Sequence, residues 1–182
     1  MTQADPTQQR LIIGLLETHF NETPYPPFAG LYDRSWPIEH PEHIATAHGQ
    51  YHDIRLAAED FRTKRPFSEY DLYRFDEAFD YFSAQTLAYF IPKIFHFLIS
   101  EDHKTQNHNF EDRFWAFLAD ERSNKSARLF DETTRLYSFE QREVLGLALL
   151  FLCFREDAQG DDFTRTWFYK NTLKFLFSSD LP

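Results

Sequence analysis

The chain has 182 residues, 42% of them hydrophobic and 26% charged, with a single cysteine. This is enough for one domain with its own core, so neither disulfides nor a structural metal is needed to hold it together. The formal net charge of −10, from 29 acidic against 19 basic residues, argues against broad nucleic-acid binding, because a phosphate backbone repels such a surface, and favours a basic or neutral protein partner.

In chain order, Asp5-Pro6-Thr7-Gln8 joins a capping residue to a proline at the first helical position, and Leu11, Ile12, Leu15 and Leu16 follow at helical spacing. This predicts a first helix from about Pro6 to His19. The segment "NETPYPPFAGLYDRSWP" is rich in proline and contains Gly30, which predicts an ordered non-helical loop over residues 21–38. Pro41 opens a short helix that Gly49 closes, and Gln50 to Arg62 reads as another helix, with Ile54, Ala57, Ala58 and Phe61 on one side and Pro66 as its stop. The cluster Arg62-Thr63-Lys64-Arg65 complements the dipole at that helix end better than it marks a nucleic-acid site.

Phe67-Ser68 with Leu72, and Phe82-Ser83 with Leu87, are staple signatures that each mark a helix start. From Ser83, the positions Leu87, Phe90, Ile91, Ile94, Phe95 and Leu98 trace one face, with Pro92 expected to kink the helix between them. Asn109 caps a short helix bearing Phe110, Phe114, Phe117 and Leu118. Ser138-Phe139-Glu140-Gln141 is a capping box ahead of "VLGLALLFLCF", apolar on every side, which predicts the central helix of the fold. That run is far shorter than the ~20 residues needed to cross a bilayer. Asp161 or Asp162 caps a last helix through about Phe177, carrying Trp167, Phe168, Leu173, Phe175 and Leu176. No strand-type alternation and no internal repeat stands out.

The stretch "EHPEHIATAHGQYHD" concentrates His40, His43, His48 and His52, and His48, His52 and Asp53 are its best candidate metal ligands. The spacing of His48 and His52 would place both imidazoles on one helix face, but a zincin helix carries Glu directly after its first His, and here that residue is Gly49. A di-iron bundle requires Glu-x-x-His pairs, which the chain lacks. Surface or capping histidines are the preferred reading, so no metal or other cofactor is expected. Cys153 lies within the apolar run and reads as an inert buried thiol rather than a nucleophile. The acidic pairs Glu101-Asp102, Glu111-Asp112, Glu156-Asp157 and Asp161-Asp162 fall near predicted helix ends, where capping outweighs acid–base chemistry. The opening "MTQADPTQQR" has no positive segment followed by an apolar one, and with the lone cysteine this leads to an expected cytoplasmic location. The Asn-x-Ser/Thr sequons at Asn21 and Asn124 then carry no meaning.

Four motifs together resemble a bacterial family of unknown function composed of small acidic helical proteins. They are the loop Pro24-Tyr25-Pro26, the segment Phe61-Arg62 with Lys64, the helix from Phe82-Ser83 through Tyr89-Phe90-Ile91-Pro92, and the helix start Ser138 with Gln141. Thr63 stands where the family commonly has Gly, and Pro66 where Trp is common. The resemblance implies no activity and no catalytic residue.

The expected fold is all-α, a single globular domain over residues 1–182 of about six or seven packed helices around the 139–156 helix. The leading functional expectation is a non-enzymatic protein that binds another protein, in the manner of an immunity or antitoxin-type inhibitor. Its acidic surface would steer a basic partner, and its surplus of 21 Phe, 9 Tyr and 3 Trp would supply interface anchors. Tyr25, Phe28, Tyr32 and Trp36 of the 21–38 loop are the candidate partner-binding residues. The alternatives are a metal-dependent hydrolase using His48, His52 and Asp53, and an oligomeric scaffold. No nucleic acid and no membrane is expected as partner.

Overall fold

A computed structural model describes residues 5–23, 82–100, 118 and 124–156. These residues are mostly helical, with no strand among them, in keeping with the all-α expectation. Four helices carry the described architecture: α1 (Pro6–Phe20), α2 (Ala84–Ser100), α3 (Asn124–Thr134) and α4 (Phe139–Glu156). Leu118 is also helical and fully buried. The helices expected from Pro41, Gln50, Ser68 and Asp161 lie outside the described residues, as does the helix start at Asn109.

Local signals set the helix boundaries. The Asp5 carboxylate accepts a hydrogen bond from the Thr7 amide at 2.8 Å, and Pro6 fills the first helical position, where a missing N–H costs nothing. Ser83 Oγ accepts from the Thr86 amide at 3.2 Å at the start of α2. Phe82, just before it, is buried and stacks on Phe90 with ring centroids 5.6 Å apart. At α4 the capping box is reciprocal: Ser138 Oγ accepts from the Gln141 amide at 3.2 Å, and Gln141 Oε1 accepts from the Ser138 amide at 3.0 Å. Such a cap contributes about 1 kcal/mol.

The centre of the described core is α2, not the 139–156 helix expected from its apolar run. α2 packs against each of α1, α3 and α4. The expected face of α2 is buried, and so are Thr86, Ala88, Tyr89, Pro92, Phe97 and Ile99. The physical reason is visible on α4, which turns Phe139, Glu140, Glu143 and Leu147 outward. It buries the rest of its circumference, through Arg142, Val144, Leu145, Gly146, Ala148, Leu149, Phe151 and Leu152. On α1, Ile12, Leu16 and Phe20 form the buried row, while Leu11 of the expected face is 63% exposed.

Side-chain amides pin the helix ends to one another. The last four carbonyls of a helix have no partner within it and need one from elsewhere. Gln9 of α1 donates to the Ile99 carbonyl at the end of α2 at 2.7 Å. Gln141 of α4 uses its remaining amide group on the His19 carbonyl at the end of α1, at 2.8 Å. α1 therefore runs antiparallel to both α2 and α4.

Pro92 lies inside α2 without ending it. Lacking an N–H, it cannot serve the Ala88 carbonyl one turn back. The Tyr137 hydroxyl donates to that same carbonyl at 3.0 Å, in a buried setting. One bond thus satisfies two groups that would otherwise be costly to bury: a phenol and a carbonyl deprived of its helical donor. The Tyr137 ring stands edge-on to Phe20 at 5.7 Å, so this residue joins α1, α2 and the start of α4.

Candidate functional site

The residues singled out for partner binding, Tyr25, Phe28, Tyr32 and Trp36, lie outside the described residues. The same holds for His40, His43, His48, His52 and Asp53. Cys153 falls on α4, as expected. Among the described residues no three His, Cys, Asp or Glu side chains gather in a way that could hold a metal ion, and no helix is long and apolar enough to cross a membrane.

Two surface arrangements carry chemistry that sequence reading missed. The first is a hydrogen-bonded chain across α1 and α2: His96 Nε2 meets Glu17 Oε1 at 3.2 Å, and His96 Nδ1 meets Ser100 Oγ at 3.3 Å. With the Nε2–H tautomer the imidazole donates to the Glu17 carboxylate and accepts from the Ser100 hydroxyl. The order of groups is that of a nucleophile, a base and an orienting carboxylate. The setting opposes that chemistry. Ser100 is the last residue of α2, so the nearest helix end presents carbonyl oxygens and negative partial charge, which would disfavour a developing oxyanion. The chain therefore acts as a solvent-exposed tie between two helices. His96→Ala is expected to lower stability by less than about 1 kcal/mol in thermal melts, as for other solvent-exposed side-chain pairs. In the sequence, only the His96–Ser100 spacing on one helix face hinted at this chain; Glu17 is 79 residues away.

The second arrangement runs from the α3–α4 turn along the outer face of α4. Leu136 is 51% exposed, and Phe139 and Leu147 are each 48% exposed. Glu140 and Glu143 are exposed between them, and Leu150 is half-buried one turn further on. At 100° per residue these α4 positions fall within an arc of roughly 100°. The Glu140 carboxyl is held below its ordinary range, first by its own backbone N–H, then by the Ser138 hydroxyl, which donates at 2.8 Å, and by the nearby His19. Glu140 is thus a fixed negative charge at the positive end of α4. The strip hides in the sequence because Leu147 sits inside an unbroken apolar run, where nothing distinguishes an outward leucine from an inward one.

Comparison with protein-family models, with curated proteins and with solved structures finds no match for this chain.

Proposed function

We propose that this chain is a non-enzymatic cytoplasmic protein that binds another protein, acting as an immunity or antitoxin-type inhibitor of a basic partner. The observation that carries the reading is the net charge of −10 combined with large apolar side chains left half-exposed beside carboxylates on α4. Apolar anchors set among charges of one sign supply affinity and steering together. The reading takes residues 1–182 as a single domain of about six or seven helices, with the likeness to the bacterial family of unknown function as part of the same proposal. It requires no cofactor, nucleic acid or membrane.

The test is an affinity pull-down from the native organism with the tagged full chain, with metal analysis of the same preparation. A single basic protein recovered in equal amount is the expected result. Recovery of no partner, but of one zinc or iron per chain that is lost on replacing His48 and His52, would overturn it in favour of a hydrolase. Within this reading the 21–38 loop displays Tyr25, Phe28, Tyr32 and Trp36 to the partner. Trp36→Ala is then expected to abolish capture while leaving the thermal midpoint nearly unchanged, and a large fall in the midpoint would place Trp36 in the core instead.

A further inference from the structure

We infer that the outer strip of α4 is a docking surface for a basic amphipathic helix of a partner protein. The inference rests on the reading of this chain as a protein-binding module and names the chemistry of what is bound.

The shape of the strip comes first. Phe139, Leu147 and the half-buried Leu150 share one arc with Glu140 and Glu143, and Leu136 extends the apolar surface into the preceding turn. From Phe139 to Leu150 the strip is about 16 Å long at 1.5 Å per residue. That length accommodates about three turns of a second helix, the span over which anchors at helical spacing engage a groove. A lone exposed leucine is ordinary, but Leu136, Phe139 and Leu147 are three large apolar side chains near half exposure along one helix and its entry turn, and on the helix they alternate with the carboxylates of Glu140 and Glu143.

The charge around the patch selects the occupant. Between residues 128 and 147, Asp131, Glu132, Glu140 and Glu143 are exposed against the exposed cations Arg128 and Arg135. Arg128 lies 3.4 Å from Glu132, which offsets its charge locally. Arg135 adjoins Leu136 at one end of the strip, whereas the charges on the α4 arc itself are the carboxylates of Glu140 and Glu143, and Glu140 is held ionised by the bonds at the helix start. A second copy of this chain would bring the same carboxylates against them, and like charges in apposition repel. A helix with an apolar face and Lys or Arg at its margins satisfies both features.

The experiment titrates the full chain with three synthetic peptides of about 14 residues: an amphipathic Leu/Lys helix, its Leu/Glu counterpart, and a Leu/Lys peptide of the same composition with its periodicity scrambled. The expected result is saturable one-to-one binding of the amphipathic Leu/Lys peptide alone. Binding should weaken by about tenfold or more in Phe139→Ser/Leu147→Ser, and separately in Glu140→Gln/Glu143→Gln. The second variant keeps the apolar side chains, so it serves even if the first folds poorly. Equal binding of the scrambled peptide, equal binding by the variants, or no binding at all would overturn the inference. Self-association abolished by Phe139→Ser/Leu147→Ser would overturn it too, by placing a second copy on the strip. A stoichiometric native partner whose capture survives both variants would leave the protein-binding reading standing and remove only this surface from it.

Discussion

Phe95→Ala is expected to destabilise the protein by about 3–5 kcal/mol, measured as a shift of the urea midpoint at unchanged slope. Phe95 is fully buried and sits midway along α2, the helix that touches every other described helix. Removing a phenyl ring there deletes its transfer free energy and leaves a cavity whose walls belong to elements already held by other contacts. Gln9 and Gln141 tie the ends of α1 to α2 and α4, and Tyr137 ties the start of α4 to α2. The surroundings therefore cannot collapse freely into the void, which puts the cost toward the upper part of the usual range. Leu147→Ala is the informative control. In sequence it looks as central as any residue of the 144–154 run, yet its side chain is half exposed, so its cost should stay within about 0.5 kcal/mol. A large loss at Leu147 with a small one at Phe95 would restore α4 as the centre of the core.

How far the sequence foretold these features depends on the distance over which each is encoded. Helix starts are encoded within a few residues, so Asp5 with Pro6, Ser83 as a cap, and Ser138 with Gln141 act as their spacing predicts, while Phe82 stacks on Phe90, a turn beyond the Leu87 that the staple spacing named. The buried face of α2 was equally legible, because Leu87, Phe90, Ile91, Ile94, Phe95 and Leu98 recur at helical period and all of them are buried. α3 was not foreseen. Its sequence, NKSARLFDETT, offers only Leu129 and Phe130 as large apolar residues, too few to establish a period. Its fit to the core depends on Thr133 and Thr134, which are buried. Thr133 is accommodated by donating to the Leu129 carbonyl at 2.6 Å. Nor could the choice between α2 and α4 as centre be read locally, since a continuous apolar run does not say which side meets a neighbour. Gln141 reaches His19 across 122 residues of sequence, and no window centred on either residue contains that bond. The candidate loop at Tyr25, Phe28, Tyr32 and Trp36 and the histidines from His40 to His52 lie outside the described residues, so the α4 strip is the surface for which geometry and charge can be argued together.

Tyr137→Phe is expected to cost about 1–3 kcal/mol, more than loss of a hydroxyl normally costs, because the carbonyl it leaves behind is buried and Pro92 cannot serve it. The Pro92→Ala background separates this explanation from simple loss of a hydrogen bond. Alanine at 92 returns an N–H to the Ala88 carbonyl, so removing the Tyr137 hydroxyl there should cost only about 0.5–1.5 kcal/mol. A double-mutant cycle by chemical denaturation should then show a coupling of about 1 kcal/mol between two positions far apart in sequence. Equal costs in the two backgrounds would mean that the phenol does not stand in for the missing amide. A second signature lies in pH. Burial pushes the Tyr137 phenol well above its ordinary value, so the unfolded chain ionises first. The stability it contributes is complete below pH ~10, where the unfolded phenol keeps its proton, and is lost as pH rises toward the elevated folded value. Tyr137→Phe should flatten that alkaline fall without abolishing it, because Tyr89 is also shifted upward by burial. The substitution thus lowers stability at neutral pH while making what remains less sensitive to base, a pairing that a mere packing defect at the same site would not produce.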